Sequence, residues 1–138
     1  MEGFAITNID DTATVSDNAR VYYNAMISGY AKVYGYAQVR GNAHIYGYAV
    51  VYEDARVSDD AQVYEDAHIY GNAVVYECAK ISGNAKIYDN ARVSGAAKVF
   101  GHAQVSGDAM VYGNSILEGD VTSSNGWVYD THWWKDIP

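Results

Sequence analysis

Small and branched apolar residues recur along this chain with a period of six. Valine, isoleucine or leucine occupies every sixth position from Ile9 to Leu117, and alanine occurs two residues earlier in each unit from Ala13 to Ala109. A period of six does not match the 3.6-residue turn of an α-helix, which would spread the valines around its surface. In Ala-x-Val/Ile, the first and third side chains share one face of a short strand. The pattern therefore predicts a series of very short β-strands.

The two positions that follow each strand carry residues typical of tight corners. Gly-Asn, Asp-Asn and Glu-Asp pairs supply residues that tolerate a positive φ. Strands this short do not form stable hairpins alone, but they can stack, each pairing with the coil before and the coil after. We therefore predict an all-β rod with a repeating region at 7–120, an N-terminal cap at 1–6 and a non-repeating tail at 121–138. The tail contains three tryptophans, Trp127, Trp133 and Trp134, and either caps the last coil or docks a partner.

The hexads from Thr7 to Asp120 resemble the hexapeptide-repeat family of left-handed parallel β-helices. The resemblance implies a triangular prism in which three hexads form one coil, residues eighteen apart stack, and about six coils wind with a left hand. The Gly-Asn-Ala-x-Val-Tyr form of the unit is also similar to hexapeptide proteins of gut bacteria and their phages.

Stacking by eighteen sorts the outward residues into columns. One column contains four tyrosines, Tyr34, Tyr52, Tyr70 and Tyr88, whose rings we expect to lie ~4.8 Å apart. Such a column either stabilises an exposed sheet as a cross-strand ladder or forms a tyrosine-rich binding face. The sequence leaves both interpretations open.

Charge is distributed unevenly along the repeat. The chain has a formal net charge of −8, which disfavours direct binding to nucleic acid. One coil, hereafter the acidic coil, concentrates six carboxylates at its corners: Glu53, Asp54, Asp59, Asp60, Glu65 and Asp66. The next stretch is basic and contains Lys80, Lys86, Arg92 and Lys98. The acidic coil is either an ordinary solvated surface or an electrostatic docking surface.

The residues that could support catalysis do not converge in the predicted prism. Members of the hexapeptide-repeat family include acyltransferases and zinc carbonic anhydrases, and the transferases typically place a catalytic histidine near an inserted loop. This repeat has no insertion, and His44, His68 and His102 are not spaced to stack. The acids lie on three separate corners, so they do not surround one calcium ion. We therefore expect no catalytic residue, no metal and no cofactor.

These observations favour a non-enzymatic protein-binding module. Its partner would be a protein with a basic surface, and one possibility is a nucleic-acid-mimicking inhibitor such as a phage anti-defence protein. The alternatives are a self-assembling structural β-helix and an acyltransferase-like enzyme. Neighbouring acidic and basic coils also permit a homo-oligomer, either a dimer or a trimer. A single cysteine, with neither a signal peptide nor a membrane span in the sequence, predicts a cytoplasmic protein that contacts no membrane.

Overall fold

The computed structural model describes residues 8–135, and within this range the chain forms 22 β-strands and no helix. Most strands contain only two residues, because each inward Ala-x-Val unit is followed at once by a corner. In chain order the strands are β1 (Asn8–Ile9), β2 (Thr14–Val15), β3 (Arg20–Val21), β4 (Met26–Ile27), β5 (Lys32–Val33), β6 (Gln38–Val39), β7 (His44–Ile45), β8 (Val50–Val51), β9 (Arg56–Val57), β10 (Gln62–Val63), β11 (His68–Ile69), β12 (Val74–Val75), β13 (Lys80–Ile81), β14 (Lys86–Ile87), β15 (Arg92–Val93), β16 (Lys98–Val99), β17 (Gln104–Val105), β18 (Met110–Tyr112), β19 (Ile116–Gly119), β20 (Thr122–Ser123), β21 (Trp127–Tyr129) and β22 (His132–Lys135).

The strands form three parallel sheets, each built from every third strand in the chain. Face A contains eight strands in the order β1-β4-β7-β10-β13-β16-β19-β22, and face B contains seven, β2-β5-β8-β11-β14-β17-β20. Face C contains the remaining seven, in the order β3-β6-β9-β12-β15-β18-β21. The chain thus passes from face A to face B to face C in each coil, and the corner between the last two is called the B–C corner below.

The register of the sheets places residues eighteen apart directly above one another over most of the rod. Val57 pairs with Val75, and Val75 pairs with Val93. The stacking continues into the tail with a shorter spacing, because Met110 pairs with Trp127 and Ile116 pairs with His132 in place of partners eighteen residues on. The solenoid therefore has about seven coils, whereas the sequence predicted about six.

The core is a narrow column of alanine alternating with a branched residue. Every alanine and every valine or isoleucine at the two inward positions of each hexad from Ala25 to Val111 is completely buried. Alanine at one position leaves room for the branched side chain at the other, so the three sheets approach closely around a continuous apolar axis. Ser115 replaces the alanine of its hexad, and its hydroxyl donates to the carbonyl of Tyr112 at 2.7 Å.

The predicted fold class, an all-β parallel β-helix with three faces, is confirmed. The left-handed winding implied by the family resemblance stays a prediction, as do the roles of the two termini. The proposed cap at 1–6 lies outside the described residues. In the tail, the side chain of Trp127 is 74% exposed and that of Trp133 is 38% exposed.

Candidate functional site

At the corners of the prism, one residue in nearly every hexad has the left-handed backbone conformation, with a positive φ. Glycine fills this position in eleven of the repeat's corners, with φ values between 58° and 71°. Acidic residues fill most of the others, including Glu53 (φ 59°), Asp59 (φ 60°) and Glu65 (φ 57°). A left-handed conformation is costly for a residue with a side chain, so glutamate at such a position requires a compensating interaction.

The carboxylate supplies this interaction, because it accepts a hydrogen bond from the backbone N–H eighteen residues later. Glu53 accepts from Gly71 at 2.8 Å, and Glu65 accepts from Gly83 at 2.7 Å. The same bond recurs at four further corners. In each, a backbone N–H donates to the carboxylate of the residue eighteen positions earlier: Gly35 N–H to Asp17 at 3.3 Å, Glu77 N–H to Asp59 at 3.1 Å, Gly95 N–H to Glu77 at 2.8 Å and Gly107 N–H to Asp89 at 3.1 Å. Each acid therefore links its own coil to the next one.

These bonds divide the acidic coil into two sets of three carboxylates. Glu53, Asp59 and Glu65 each use one carboxylate oxygen to accept an N–H of the next coil, which leaves the other oxygen for a partner, and their role in binding stays a prediction. The second set, hereafter the outer acids, follows each of them in the chain and is also exposed: Asp54, Asp60 and Asp66. Asp60 accepts one bond from the amide of Asn42 at 3.2 Å. The outer acids project from the three corners of one coil.

The four predicted tyrosines form a continuous stack along the B–C corner. Their ring centroids lie 5.1, 5.0 and 5.0 Å apart between successive members from Tyr34 to Tyr88, and the rings are within 9° of parallel. All four side chains are half-buried. The predicted column is therefore confirmed, while its role in binding stays a prediction.

A shallow open groove runs beside this tyrosine column. Tyr34 and Tyr52 line it together with Tyr36, Glu53 and Asp54. Burial, followed by the neighbouring hydroxyls Tyr70 and Tyr34, raises the pKa of Tyr52. The hydroxyl is therefore a neutral hydrogen-bond donor near pH 7. The groove combines flat aromatic surface with carboxylates, a combination that suits the guanidinium or ammonium group of a partner.

The basic residues occupy the flat faces of the prism and not its corners. Lys80 and Lys98 are neighbours on face A, while Lys86 lies on face B and Arg92 on face C. Within residues 8–135, no ion pair joins these side chains to the acidic coil, and a contact between His132 and Glu118 lies far from both. Both charged regions therefore remain available to other molecules.

The histidines are dispersed over the surface. His44 lies on face A, where Ser28 Oγ is 2.9 Å from its Nε2 atom, and His68 lies on face B. Burial lowers the pKa of His44, with a smaller opposing effect from Asp10. Burial also lowers the pKa of His68, and Lys86 adds to that effect. Both imidazoles are therefore predominantly neutral near pH 7.

In residues 8–135, no three side chains of histidine, cysteine, aspartate or glutamate converge in a way that could hold a metal ion. No helix in the same range has the length and apolar character needed to cross a membrane.

Comparison with protein families finds a likeness in the C-terminal half of the chain. The family model described as YdcK Beta solenoid repeat matches residues 85–99 and 103–119, which is less than half of the chain. The comparison with curated proteins and the comparison with solved structures each gave no match. The likeness is thus to a β-solenoid repeat, and the matched residues include Lys86, Arg92 and Lys98 and lie outside the acidic coil.

Proposed function

We propose that the chain is a non-enzymatic protein-binding module that docks a basic partner on its acidic coil. The observation that carries this proposal is the juxtaposition, at one corner, of the stacked tyrosines with exposed carboxylates. Glu53 and Asp54 lie in the same groove as Tyr34 and Tyr52. Tyrosine is enriched among residues that dominate binding energy, and carboxylates accelerate encounter with a basic surface.

The rigidity of the surface supports this proposal. Because Glu53, Asp59 and Glu65 are fixed to the next coil by backbone hydrogen bonds, the corners that carry the outer acids are held in place before a partner arrives. The tyrosine rings are also pre-stacked, so little side-chain entropy is lost when they are covered. A preformed surface of this kind favours binding without rearrangement.

The outer acids provide the sharpest test, since their substitution leaves the backbone hydrogen bonds intact. We expect Asp54→Lys, Asp60→Lys and Asp66→Lys together to abolish capture of the partner, with an unchanged circular dichroism spectrum. The matched control reverses three exposed aspartates elsewhere in the rod, Asp11, Asp108 and Asp120. It changes the net charge by the same amount and should bind normally. Equal loss of binding in both variants would show that total charge matters and that the acidic coil has no special role.

The tyrosine column should contribute affinity independently of salt. Tyr52→Ala and Tyr70→Ala should each accelerate dissociation of the purified complex, as followed by surface plasmon resonance, because each removes an anchor from the middle of the stack. Raising the salt concentration should instead slow association. Unchanged dissociation rates in both variants would limit the column to a structural role.

An inhibitor that imitates nucleic acid is the most specific form of this proposal. The outer acids would occupy the phosphate-binding groove of a cytoplasmic partner, as expected for a phage anti-defence protein. Competition between the purified chain and a duplex oligonucleotide for the captured partner tests this form. Simultaneous binding of both would contradict it.

The absence of catalysis is part of the proposal. The separation of the histidines supports this absence, because His44 lies on face A, His68 on face B and His102 at a corner. The triple variant with alanine at all three positions should keep full partner binding and biological activity. Loss of activity in a folded triple variant, or specific binding of acetyl-CoA by the native chain, would favour the acyltransferase alternative.

A second candidate function is structural. The match to a β-solenoid repeat supports it, as does the uninterrupted stacking of sheets from β1 to β22. The unbroken hexads further support membership of the hexapeptide-repeat family as a proposal. Filaments or ordered assemblies of the pure protein in electron micrographs, in the absence of any captured partner, would favour this function over the first.

A further inference from the structure

One aromatic column of the rod is interrupted by a serine. At the corner between faces A and B, hereafter the A–B corner, the residue directly after each strand of face A reads Tyr46, Tyr64, Ser82 and Phe100 through four successive coils. The first two rings stack, with their centroids 4.9 Å apart and their planes at 4° to one another. Ser82 is too small to continue the stack, so the next ring, that of Phe100, lies two coils beyond Tyr64.

The interruption leaves a slot that is wide enough for one aromatic ring. Backbone hydrogen bonds join the three coils in order, from Tyr64 N–H to the carbonyl of Ile81 and from Ser82 N–H to the carbonyl of Val99, each at 2.9 Å. The stacking distance of ~4.8 Å per coil places the rings of Tyr64 and Phe100 about 10 Å apart. A flat ring inserted over Ser82 would therefore lie ~5 Å from each of them, a spacing at which aromatic rings stack favourably.

Two lysines border this slot. Lys80 and Lys98 precede Ser82 and Phe100 by two residues each, and they are direct neighbours on face A. Both side chains are exposed, and within residues 8–135 neither forms an ion pair. Like charges that lie directly opposite one another on a sheet destabilise it. An anion bound between the two ammonium groups would remove this repulsion.

The slot and the lysines form one shallow groove, hereafter the lysine groove, with a volume of about 330 Å³. Six residues line it: Tyr64, Glu65, Lys80, Ser82, Lys98 and Phe100. Glu65 is the one carboxylate among them, and one of its oxygens accepts the N–H of Gly83 at 2.7 Å. Two ammonium groups against one carboxylate give the groove a net positive charge, although the whole chain has a formal net charge of −8.

We propose that the lysine groove binds a small aromatic phosphate. The aromatic ring of the ligand lies between Tyr64 and Phe100 with Ser82 beneath it, and Lys80 and Lys98 hold the phosphate. A phosphate monoester carries nearly two negative charges near neutral pH, which matches the two ammonium groups, and lysine binds phosphate as a point charge. The slot admits a single ring, and the net charge of the chain disfavours an extended polyanion. The ligand is therefore a small molecule and not a nucleic acid.

A second gap in the aromatic columns lacks the pair of lysines. At the corner between face C and the next strand of face A, Ser94 lies between Tyr76 and Tyr112 in the same way. The two outward residues beside this gap are Arg92 and Met110, which pair in register on face C. The second gap thus offers two rings but a single cation, and it serves as an internal control for the lysine groove.

Isothermal titration calorimetry with α-naphthyl phosphate tests the proposal. The native chain should bind one molecule with a dissociation constant of about 1 mM or lower, and the affinity should fall as salt rises. Two further probes each lack one of the recognised groups: α-naphthol has no phosphate, and inorganic phosphate has no ring. Each should bind at least about tenfold more weakly, because it loses either the ion pairs or the stacking. No binding of α-naphthyl phosphate, or equal binding of α-naphthol, would overturn the proposal.

Filling the slot tests where the ring binds. Ser82→Tyr completes the column with the residue that already occupies the equivalent position at Tyr46 and Tyr64, so the circular dichroism spectrum should be unchanged while binding is lost. The matched control, Ser94→Tyr, fills the second gap and should bind like the native chain. Unchanged binding in Ser82→Tyr, or equal loss in both variants, would contradict the proposed position of the ring.

Lysine variants test the phosphate contact without altering the slot. Lys80→Gln and Lys98→Gln should each weaken binding of α-naphthyl phosphate about threefold, and together about tenfold, as expected for exposed ion pairs. Glutamine already occupies the equivalent position at Gln62 on the same face, so the fold should be retained. The matched control, Lys86→Gln, makes the same charge change on face B and should bind like the native chain. Native affinity in the double variant, or an equal loss in the control, would show that the lysine pair holds no phosphate.

This inference goes beyond the proposed function and does not depend on it. Glu65 belongs to the acidic coil as well as to the lysine groove, but it is not one of the outer acids. The groove at the B–C corner, with Glu53 and Asp54, stays uncovered when the lysine groove is occupied. Ser82→Tyr should therefore abolish binding of α-naphthyl phosphate while capture of a basic partner persists. A native chain that binds α-naphthyl phosphate but captures no basic partner would count against the proposed function alone.

Discussion

The acidic corners predict an unusual order of stability among variants of a single glutamate. Glu65 has a φ of 57°, and its carboxylate accepts the N–H of Gly83 at 2.7 Å. Two opposing terms act at this residue. The left-handed conformation destabilises a residue with a β-carbon by about 1 kcal/mol or more. The hydrogen bond to the carboxylate stabilises the fold by about 1 kcal/mol, because the bond is exposed to solvent.

Substitutions separate these terms. Glu65→Ala loses the hydrogen bond and keeps the strain, so the free energy of unfolding should fall by about 1 kcal/mol. Glu65→Gly loses the bond but also loses the strain, so its unfolding free energy should stay within about 0.5 kcal/mol of the native value. Glu65→Gln keeps a neutral acceptor, so its free energy of unfolding should lie between those of the alanine and glycine variants.

Urea denaturation followed by circular dichroism measures these differences. A control is available one coil earlier, where Gly47 occupies the same position with a φ of 66°. A β-carbon added there would lie 2.8 Å from the backbone nitrogen of Glu65, so Gly47→Ala adds strain without any compensating bond. It should destabilise the rod by at least about 1–2 kcal/mol. If Glu65→Gly proves as unstable as Glu65→Ala, the balance of strain and hydrogen bonding described above is wrong.

Three further outcomes are expected. Ala67→Arg should unfold or split the rod, because it places a charge in the dry core, whereas Ala96→Arg at an exposed corner should leave the melting temperature nearly unchanged; equal melting temperatures would refute the inward assignment. Ser123→Val should stabilise the rod by about 1 kcal/mol in chemical denaturation, since the buried Ser123 hydroxyl has no hydrogen-bond partner within residues 8–135; a loss of stability would contradict this. Because burial lowers the pKa of His44 and His68, the unfolded chain binds protons more readily below pH ~6.5, and stability should fall as pH decreases from there. Differential scanning calorimetry should show a smaller fall in melting temperature between pH 7.5 and 5.5 for the double variant with glutamine at both positions than for the native chain. An equal fall would refute the role of these two histidines.

The strands, the core and the tyrosine stack could be predicted from the sequence because they depend on position alone. The inward burial of Ala67 and Ile69 follows from the alternation of side chains along a strand. The stacking of Tyr52 on Tyr70 follows from the coil length that the family resemblance supplied. Both features repeat without interruption, so a single rule covers the whole rod.

Features that depend on the backbone at the corners could not be predicted in this way. The prediction treated acids such as Glu53 as free surface charge, because the sequence gives no sign that their carboxylates reach the N–H of the next coil. The seventh coil was missed for a different reason. Its final strands, β21 and β22, pair at spacings of seventeen and sixteen, as in Met110 with Trp127 and Ile116 with His132, so a period of six does not detect them.

The stacking of parallel coils also determines how the rod would respond to mechanical force. The hydrogen bonds between coils point along the long axis, so tension applied at the two ends loads the pairing of a terminal coil a few bonds at a time. Val57 and Val75 illustrate the geometry, since they are adjacent in space but eighteen residues apart in the chain. Each coil that peels away releases about 60 Å of extended chain and leaves an intact rod behind it. Pulling with an optical trap should therefore yield a regular series of equal steps, and the rod would act as an extensible spacer that lengthens one coil at a time.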